Sequence, residues 1–366
     1  MKTDTAPLTP GSTIGMLGGG QLGRMMALAA ARLGLDVHVY CPDENSPAFS
    51  VAKAYTCAAY EDETSLITFA QSVDVVTYEF ENVPSATAEL LAQYVPVRPG
   101  TKALDVCQDR LTEKTFISSL GIEVAPFADI ASDEDLLSAA DRIGLPAILK
   151  TRRFGYDGKG QTTLRTRDDL TGARDAIGGG PAILEGFVPF EREVSIIAAR
   201  NPDGQCRIYD IAENRHENHI LRETNVPANI SPDVIEKANT AVQSLMDELG
   251  YIGVIAVELF LVREEDGDRL VVNEIAPRVH NSGHWTEAVC PVDQFEQHIR
   301  AVAGWPLGQT ERLADVVMTN ILGSESNNWQ AFAADPDTVL HLYGKAEPRD
   351  GRKMGHMTRI IRSGEA

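Results

Sequence analysis

Positive charge is scarce in this 366-residue chain: 33 Lys and Arg stand against 53 Asp and Glu, for a formal net charge of −20. Such a field repels nucleic acid and anionic membranes, so neither is an expected partner, and any local cluster of Lys and Arg becomes informative. Long apolar runs are missing as well, and none reaches the length of a bilayer span. The first dozen residues, MKTDTAPLTPGS, lack the apolar stretch of a signal peptide and read as a loose extension. Cysteine numbers five, odd and scattered, with no pair at zinc-site spacing. That argues against a disulfide framework and for small buried hydrophobes in a reducing cytoplasm. What the chain does have is core material, with 43% of its residues hydrophobic. Its length exceeds one ordinary core and suggests two or three domains.

The stretch 254–284, VIAVELFLVREEDGDRLVVNEIAPRVHNSGH, organises the rest. An apolar strand carrying Glu258 breaks at Glu265-Asp266-Gly267, and a second strand ends in Asn273-Glu274. Three residues with Gly last suit a hairpin loop with a left-handed residue, because Gly takes positive φ without steric cost. That register pairs Glu264 with Asp268 and sets Glu258 opposite Glu274 on one face. A two-residue loop would turn the acids to opposite faces. Like charges directly opposite are destabilising, so the pair reads as a cation site. Two carboxylates with an Asn suit Mg²⁺, which takes oxygen ligands and is often shared with phosphates. Arg278, His280, Asn281 and His284 follow as donors at the mouth of the hairpin. The alternative is a solvent-facing hairpin whose acids never meet.

Upstream, a strand over 13–17 runs into Gly18-Gly19-Gly20-Gln21-Leu22-Gly23, and a helix over 21–33 closes on Gly34. Strands over 37–40 and 73–78 follow, the second ending in Glu79-Phe80-Glu81. Strands alternating with helices imply a parallel sheet with ligands at its carboxyl edge. Gly18-x-Gly20-x-x-Gly23 with Asp43 beyond it matches a dinucleotide fingerprint, yet nothing downstream resembles a hydride-transfer site. A glycine loop at a helix N-terminus binds any anion, or serves only as a tight turn. Pro96, Pro99 and Gly100 mark a first boundary. A helix over 102–120 carries Asp109-Arg110 and Glu113-Lys114, compatible with plain exposed charge.

A second unit begins near Gly121. A helix over 133–143 precedes a strand over 146–150 that ends in Lys150. Glycines and basic residues then fill 152–160 before a strand over 161–165. Loops of that kind, dense in N–H groups and positive charge, wrap phosphates and close over them. A strand over 182–187 breaks at Val188-Pro189 and restarts over 191–197, as a hinge with backbone available to an adenine edge. A strand over 206–211 follows, and His216 beyond it reads as a solvated loop residue. The helix over 231–249, capped by Ser231 and ended by Gly250, has the stripe Val234, Ile235, Ala238, Ala241, Val242, Leu245, Met246 and Leu249, which is core. The tail over 339–361 places Lys345, Arg349, Arg352, Lys353 and His356 around a loop between two strands.

In this order, GMLGGGQLGRM, YEFENVP, FGYDGKGQ, EGFVPFEREVS, NEIAPRVHNSGH and GRKMGH resemble the ATP-grasp superfamily, whose two α+β domains clasp ATP. Within it they are most similar to the 5-(carboxyamino)imidazole ribonucleotide synthetases of purine biosynthesis, over nearly the whole chain after Gly11. The resemblance implies a mixed α/β and α+β fold: an extension over 1–12, a Rossmann-like substrate domain over 13–112, an ATP-grasp lid over 113–190 and a C-terminal ATP-grasp domain over 191–366. It also implies ATP-dependent carboxylation of 5-aminoimidazole ribonucleotide by bicarbonate, with ATP and Mg²⁺ as cofactors, in a cytoplasmic homodimer.

Carried over by motif, Arg110, Lys150 and the loop Gly155, Tyr156, Asp157, Gly158, Lys159, Gly160 and Gln161 would hold ATP phosphates. Glu185, Gly186, Phe187 and Val188 would meet adenine, and Glu193 the ribose, with His216 on the nucleotide side. Glu258 and Glu274 would hold Mg²⁺ beside Asn273. Gln21, Leu22, Glu79, Tyr156, Asp157, Lys159, Arg278, His280, Asn281, Lys345 and Arg352 would surround the ribonucleotide. Asp157, Lys159, Arg278 and His280 are the catalytic candidates, with the proton relay left between Asp157 and His280. Lys159 stands where relatives can carry Arg, which exchanges a bidentate contact for a point charge. A formate-dependent glycinamide ribonucleotide transformylase is the nearer alternative. An NAD-dependent oxidoreductase resting on residues 18–23 is the farther one.

Overall fold

Three sheets carry the chain in the computed structural model, which describes residues 6–155, 158–265 and 267–362. The first sheet is parallel. Its strands β1 (Thr13–Leu17), β2 (Asp36–Tyr40), β3 (Ala54–Thr56) and β4 (Val75–Tyr78) lie in the order β3-β2-β1-β4. Ile14, Met16, Val37, Val39, Val75 and Val76 are all buried, and strands so apolar need cover on both faces. The helix Gln21–Arg32 covers one face with Leu22, Met25, Met26, Ala29 and Ala30. The helix Glu63–Gln71 covers the other with Leu66, Phe69 and Ala70.

The second sheet is a small antiparallel one, β5 (Phe127–Ile130), β6 (Ala147–Thr151), β7 (Gln161–Leu164) and β8 (Ala182–Gly186), in the order β5-β8-β6-β7. The third has nine strands: β9 (Arg192–Arg200), β10 (Cys206–Ile208), β11 (Ala212–Glu217), β12 (Ile220–Val226), β13 (Gly253–Val262), β14 (Arg269–Ala276), β15 (Asp315–Leu322), β16 (Thr338–Leu342) and β17 (Lys353–Ile361). Their order is β14-β13-β9-β11-β12-β15-β17-β16, with β10 paired to β9. The helix Pro232–Leu249 packs on this sheet, held at one end by Ser231 Oγ accepting from Val234 N–H and at the other by Gly250 at φ +57°. Its buried stripe is narrower than the sequence pattern, because Ile235 is 39% exposed.

The stretch 102–120 is two helices rather than one. Asp109, extended at φ −127°, separates Thr101–Cys107 from Arg110–Ser119 and caps the second by accepting from Leu111 and Thr112 N–H. The same carboxylate takes Arg152 Nε at 3.0 Å, a long-range partner that a local reading does not contain. Glu113 and Lys114 are buried, not exposed helix charge. Ile117 packs into the core of the third sheet with Val272 and Ile275. The boundary expected between 112 and 113 therefore falls inside a helix that serves the large sheet. The strand expected over 206–211 stops at Ile208.

One buried imidazole ties the first sheet to the third. His298, on the helix Gln294–Val302, is fully buried; its Nδ1 accepts from Val254 N–H at 3.0 Å and its Nε2 lies 2.8 Å from Thr77 Oγ1. Burial pushes its pKa down to about 3, so the ring is neutral and Nε2–H donates to Thr77. His298→Leu leaves a buried amide N–H and a buried hydroxyl without partners, at about 1–3 kcal/mol each. Equilibrium urea unfolding near neutral pH should register that loss; an unchanged midpoint would mean that the contact is no tie.

Candidate active site

Glu258 and Glu274 do face each other across β13 and β14, but by a route the sequence reading did not contain. Near the turn, Val262 pairs with Arg269, Leu261 with Leu270 and Leu259 with Val272, one residue out of step with the expected Glu264–Asp268 pairing. Asp266, in the expected turn, lies outside the described residues. Carried straight through, the observed register would set Glu258 against Asn273. Instead the ladder shifts between Glu258 and Leu259, and Glu258 pairs with Glu274. Asn273 is the extra residue of a β-bulge, a device that re-aims side chains beside functional sites. Its carbonyl accepts from Lys114 Nζ at 2.7 Å, so a buried cation pins the bulge. Burial, and then the Glu274 charge, push the Glu258 carboxyl up to about 7. A divalent cation between the two would relieve both causes.

Cations surround this pair on the side of the second sheet. Arg110 Nη1 lies 3.2 Å from Glu274 Oε2, and its Nη2 lies 3.4 Å from the Gly155 carbonyl. Lys150 at the end of β6 donates to Glu185 at 2.9 Å, and Lys114 lies 3.4 Å from the same oxygen. Burial opposes a charge on Glu185, yet Lys150, Lys114 and Arg110 hold its pKa down to about 2. Glu185 Oε1 is buried with no hydrogen-bond partner among the described residues. Gly186 and Phe187 donate their N–H groups to Pro126 and Pro146, and Val188 accepts from Phe190 N–H. His216 is not solvated: its Nδ1 is 2.7 Å from Glu193, and both line a small cleft with Glu258 and Asn273. Burial lowers the His216 pKa, but the hydrogen bond and charge of Glu193 outweigh it and raise it.

The basic loop between β6 and β7 reaches across this cleft. Gln161 pairs with Lys150 at its base. A Cβ on Gly158, which has φ +78°, would stand 2.6 Å from the His219 ring in the β11–β12 turn, so only Gly fits that close approach. Gly160 approaches Thr151 as closely. Tyr156 and Asp157 lie outside the described residues.

The opposite wall is built on the glycine loop of the first sheet. Gly20 and Gly23 N–H groups donate to the Glu79 carboxylate at 2.6 and 3.1 Å. The anion at this helix N-terminus is thus the chain's own, and the dinucleotide reading loses its phosphate site; Asp43 accepts from Asn45 N–H in its own loop. Gln21 opens the helix, while the Leu22 side chain is buried in the core. Burial raises the Glu79 pKa despite those two donors. Lys345 donates to the Lys353 carbonyl at 2.7 Å, and burial, then Arg352, push its pKa down to about 8, against the charge of Glu79. Arg352 Nη1 bonds the Glu347 carbonyl at 2.9 Å.

Between the walls sit Arg278, His280 and Asn281. Arg278 makes a two-point pair with Glu81, one contact at 2.9 Å. His280 Nδ1 accepts from Ser282 N–H at 3.3 Å, which leaves the ring proton on Nε2, 3.4 Å from Glu258 Oε1. Burial, with Arg278 and Lys353 nearby, holds the ring neutral by depressing its pKa well below the usual value. Asn281 exchanges two 2.9 Å bonds with Asn320. Sequence reasoning missed three members: Glu81, the buried Lys114, and Lys353, whose charge acts on Glu258, His216 and His280. The signal for Lys114 lay in its helix position beside Arg110, but only packing shows that it is buried.

Glu113, pushed up to about 8 by burial and then Glu274, and Glu258 have folded pKa values above the ordinary 4.5. Both bind more protons folded than unfolded above that value, so stability falls as pH rises from about 5 to about 8. Glu258→Gln should flatten the fall in melting temperature over that window. Parallel curves for parent and variant would refute the opposed-carboxylate reading.

Against known proteins, residues 11–108 match the ribonucleotide synthetase preATP-grasp domain, 115–295 the ATP-grasp domain, and 316–366 the phosphoribosylaminoimidazole carboxylase C-terminal domain. The chain is 51% identical to the N5-carboxyaminoimidazole ribonucleotide synthase of Brucella melitensis, over 98% of both chains. It is 46% identical to the Pseudomonas aeruginosa enzyme of that name, over 94% of this chain and 93% of the relative. A solved ADP complex of an N5-carboxyaminoimidazole ribonucleotide synthetase superposes with a TM-score of 0.92 at 42% identity, covering 98% of this chain and 94% of that one. An Aspergillus clavatus synthase bound to ADP and 5-aminoimidazole ribonucleotide gives 0.89 at 29% identity, covering 96% and 94%. With these likenesses spanning both walls of the cleft, the chain belongs to the N5-carboxyaminoimidazole ribonucleotide synthase family of ATP-grasp ligases.

Proposed function

We propose that this chain joins bicarbonate carbon to the exocyclic amine of 5-aminoimidazole ribonucleotide, driven by ATP, to give the N-carboxylated ribonucleotide, ADP and phosphate. The observation that carries this reading is the convergence on one carboxylate pair of two separate cationic walls. Arg110, Lys114 and Lys150 stand on one side, and Arg278 and Lys353 on the other, with Lys345 and Arg352 beyond them in the tail loop facing Glu79. In a chain of net charge −20, two such walls suit two anionic substrates.

Bicarbonate is a poor electrophile. Its oxygen attacks the γ-phosphorus, the bond to the β-bridging oxygen breaks, and carboxyphosphate forms as ADP leaves. Arg110 and Lys150 stabilise the charge that gathers on the phosphoryl oxygens, the main lever in such transfers. The donor set fits Mg²⁺: Glu258 and Glu274 would hold it, and it would neutralise charge at the phosphates. Carboxyphosphate hydrolyses readily, so water has to be kept from it, a task that would fall to the loop whose Gly158 lies against His219. The substrate amine then bonds to the carboxyl carbon, phosphate departs, and one amine proton is released. The departing phosphate takes that proton, while the neutral His280 ring, with its proton on Nε2 beside Glu258, serves the site as a hydrogen-bond donor. Glu185 Oε1 offers an acceptor for the adenine amino group, and Glu193, oriented by His216, one for the ribose. We also place the enzyme as a cytoplasmic homodimer, in line with the family; no described helix is long and apolar enough to cross a membrane.

ADP release in the presence of 5-aminoimidazole ribonucleotide should require bicarbonate and place its labelled carbon in the product; label from formate instead would point to a transformylase. Glu274→Gln should abolish turnover and leave the fold intact, since it removes one of two opposed charges. Near-normal rates in that variant would unseat the metal assignment. Arg352→Ala removes a charge-assisted phosphate contact worth about 1.5–3 kcal/mol, roughly ten- to a hundredfold in binding. It should raise KM for the ribonucleotide and leave that for ATP nearly unchanged. Weakening of ATP alone would move the tail loop to the nucleotide side.

A further inference from the structure

Away from the cleft, three side chains from two parts of the C-terminal domain converge with no role in the proposed reaction. His341 on β16 and His356 on β17 are directly opposed across the ladder. Their rings stack with centroids 4.7 Å apart and planes 6° apart. Both Nε2 atoms approach one oxygen, Oε2 of Glu287 on the short helix Thr286–Val289, at 3.7 Å from His341 and 3.6 Å from His356. All three ligand atoms lie within 4.8 Å of one another. These gaps are too long for hydrogen bonds. His356 is fully buried, and neither its Nε2 nor Glu287 Oε2 has a hydrogen-bond partner among the described residues. Buried polar atoms so placed are rare and ask for a ligand.

The far side of the ring is arranged as well. His356 Nδ1 lies 2.8 Å from the buried Tyr343 hydroxyl. With the ring proton on Nδ1 and donated to that oxygen, Nε2 presents its lone pair toward Glu287. Metal-bound histidines usually make such an orienting bond through the other nitrogen. We propose that Glu287, His341 and His356 form a second metal site, for a divalent transition ion of the Zn²⁺ type, separate from the Glu258–Glu274 pair. Two imidazoles and a carboxylate are a Zn²⁺ donor set, with bonds of about 2.0–2.1 Å that space tetrahedral ligand atoms roughly 3.3 Å apart. The two gaps to Glu287 Oε2 need to close by a few tenths of an ångström, and the stacked rings need to turn so that their in-plane lone pairs converge on the ion. Imidazole ligands disfavour Mg²⁺ and Ca²⁺, which take oxygen.

The surrounding charge permits a cation. Arg32, a positive group acting on both Glu287 and His341, is engaged by Asp293 at 2.6 Å and Glu296 at 3.6 Å. His284, 4.7 Å from His356 between ring centroids, has its Nδ1 bonded to Gln294. The placement also gives the ion a task. β16 and β17 flank the loop that carries Lys345 and Arg352, and Thr286–Val289 follows the segment that holds His280. A bound ion pins the ribonucleotide hairpin to the catalytic segment.

The test is a Zn²⁺ titration of the chelator-stripped full chain by calorimetry, with excess Mg²⁺ present to saturate the carboxylate pair. One equivalent of Zn²⁺ should bind and raise the melting temperature, and Co²⁺ in its place should show the visible absorption of a tetrahedral ion. His341→Ala, on the partly exposed rim, should fold and weaken binding by at least about tenfold; Glu258→Gln should retain it. No Zn²⁺ uptake by the parent chain would overturn the proposal. So would uptake that His341→Ala leaves unchanged, or uptake that Glu258→Gln abolishes.

Discussion

Two carboxylates held opposite each other in a largely buried hairpin are the constraint to which the rest of this structure answers. In isolation the Glu258–Glu274 pairing is repulsive, and burial makes it worse. The fold balances it with cations drawn from distant sequence: Arg110 on Glu274, Lys114 on the bulge carbonyl of Asn273, and Lys353 within reach of Glu258. A chain of net charge −20 thereby gathers much of its scarce positive charge around one cleft. In the proposed reaction the same cations would meet phosphate oxygens once substrates are present.

The cleft needs all three sheets, so the contacts between sheets are part of the site. The neutral His298 ring joins β4 to β13 through two directional bonds, and Glu81, just beyond β4, grips Arg278, just beyond β14. Both contacts fix how the wall built on the first sheet sits against the hairpin of Glu258 and Glu274. The second sheet is attached differently. Its basic loop touches the large domain at a turn, where Gly158 meets His219, and Arg152 binds the Asp109 cap at its base. The glycine loop shows the same economy of charge: its helix N-terminus holds Glu79, and so stabilises an acid facing the cationic tail.

Local chemistry made much of this legible. Alternating apolar strands, Ser231 and Gly250 at the ends of the long helix, the glycine turn into Gln21–Arg32 and the density of Lys and Arg near Lys150 each follow from short-range rules. The order of motifs along the chain pointed to the ATP-grasp fold, and the two acids of the hairpin stood out by their rarity in apolar strands. The hairpin register did not follow from the same rules. The loop reading reached the right pairing through the wrong turn, because a bulge at Asn273 compensated a one-residue offset. A bulge pinned by Lys114, some 160 residues away in the chain, leaves no local trace.

What the sequence determined by itself was most of the longer elements and the chemical types at the site, since periodicity, capping and turn preference act over a few residues. The fold class came with the resemblance that its motifs carry. Tertiary structure alone decided which charges meet. Glu113 and Lys114 read as solvated helix charges until Ile117 carries their helix into the core. His216 reads as a loop residue until β11 sets it against Glu193. Glu79 enters the site reading only through the resemblance, and its pairing with the glycine-loop N–H groups is decided by the fold. His341, His356 and Glu287 show no motif spacing, and only strand pairing and the packing of a short helix bring their ligand atoms within 4.8 Å. The physical reason is common to all: burial and long-range pairing set the electrostatics of an ionisable group, and neither is encoded in its neighbours along the chain.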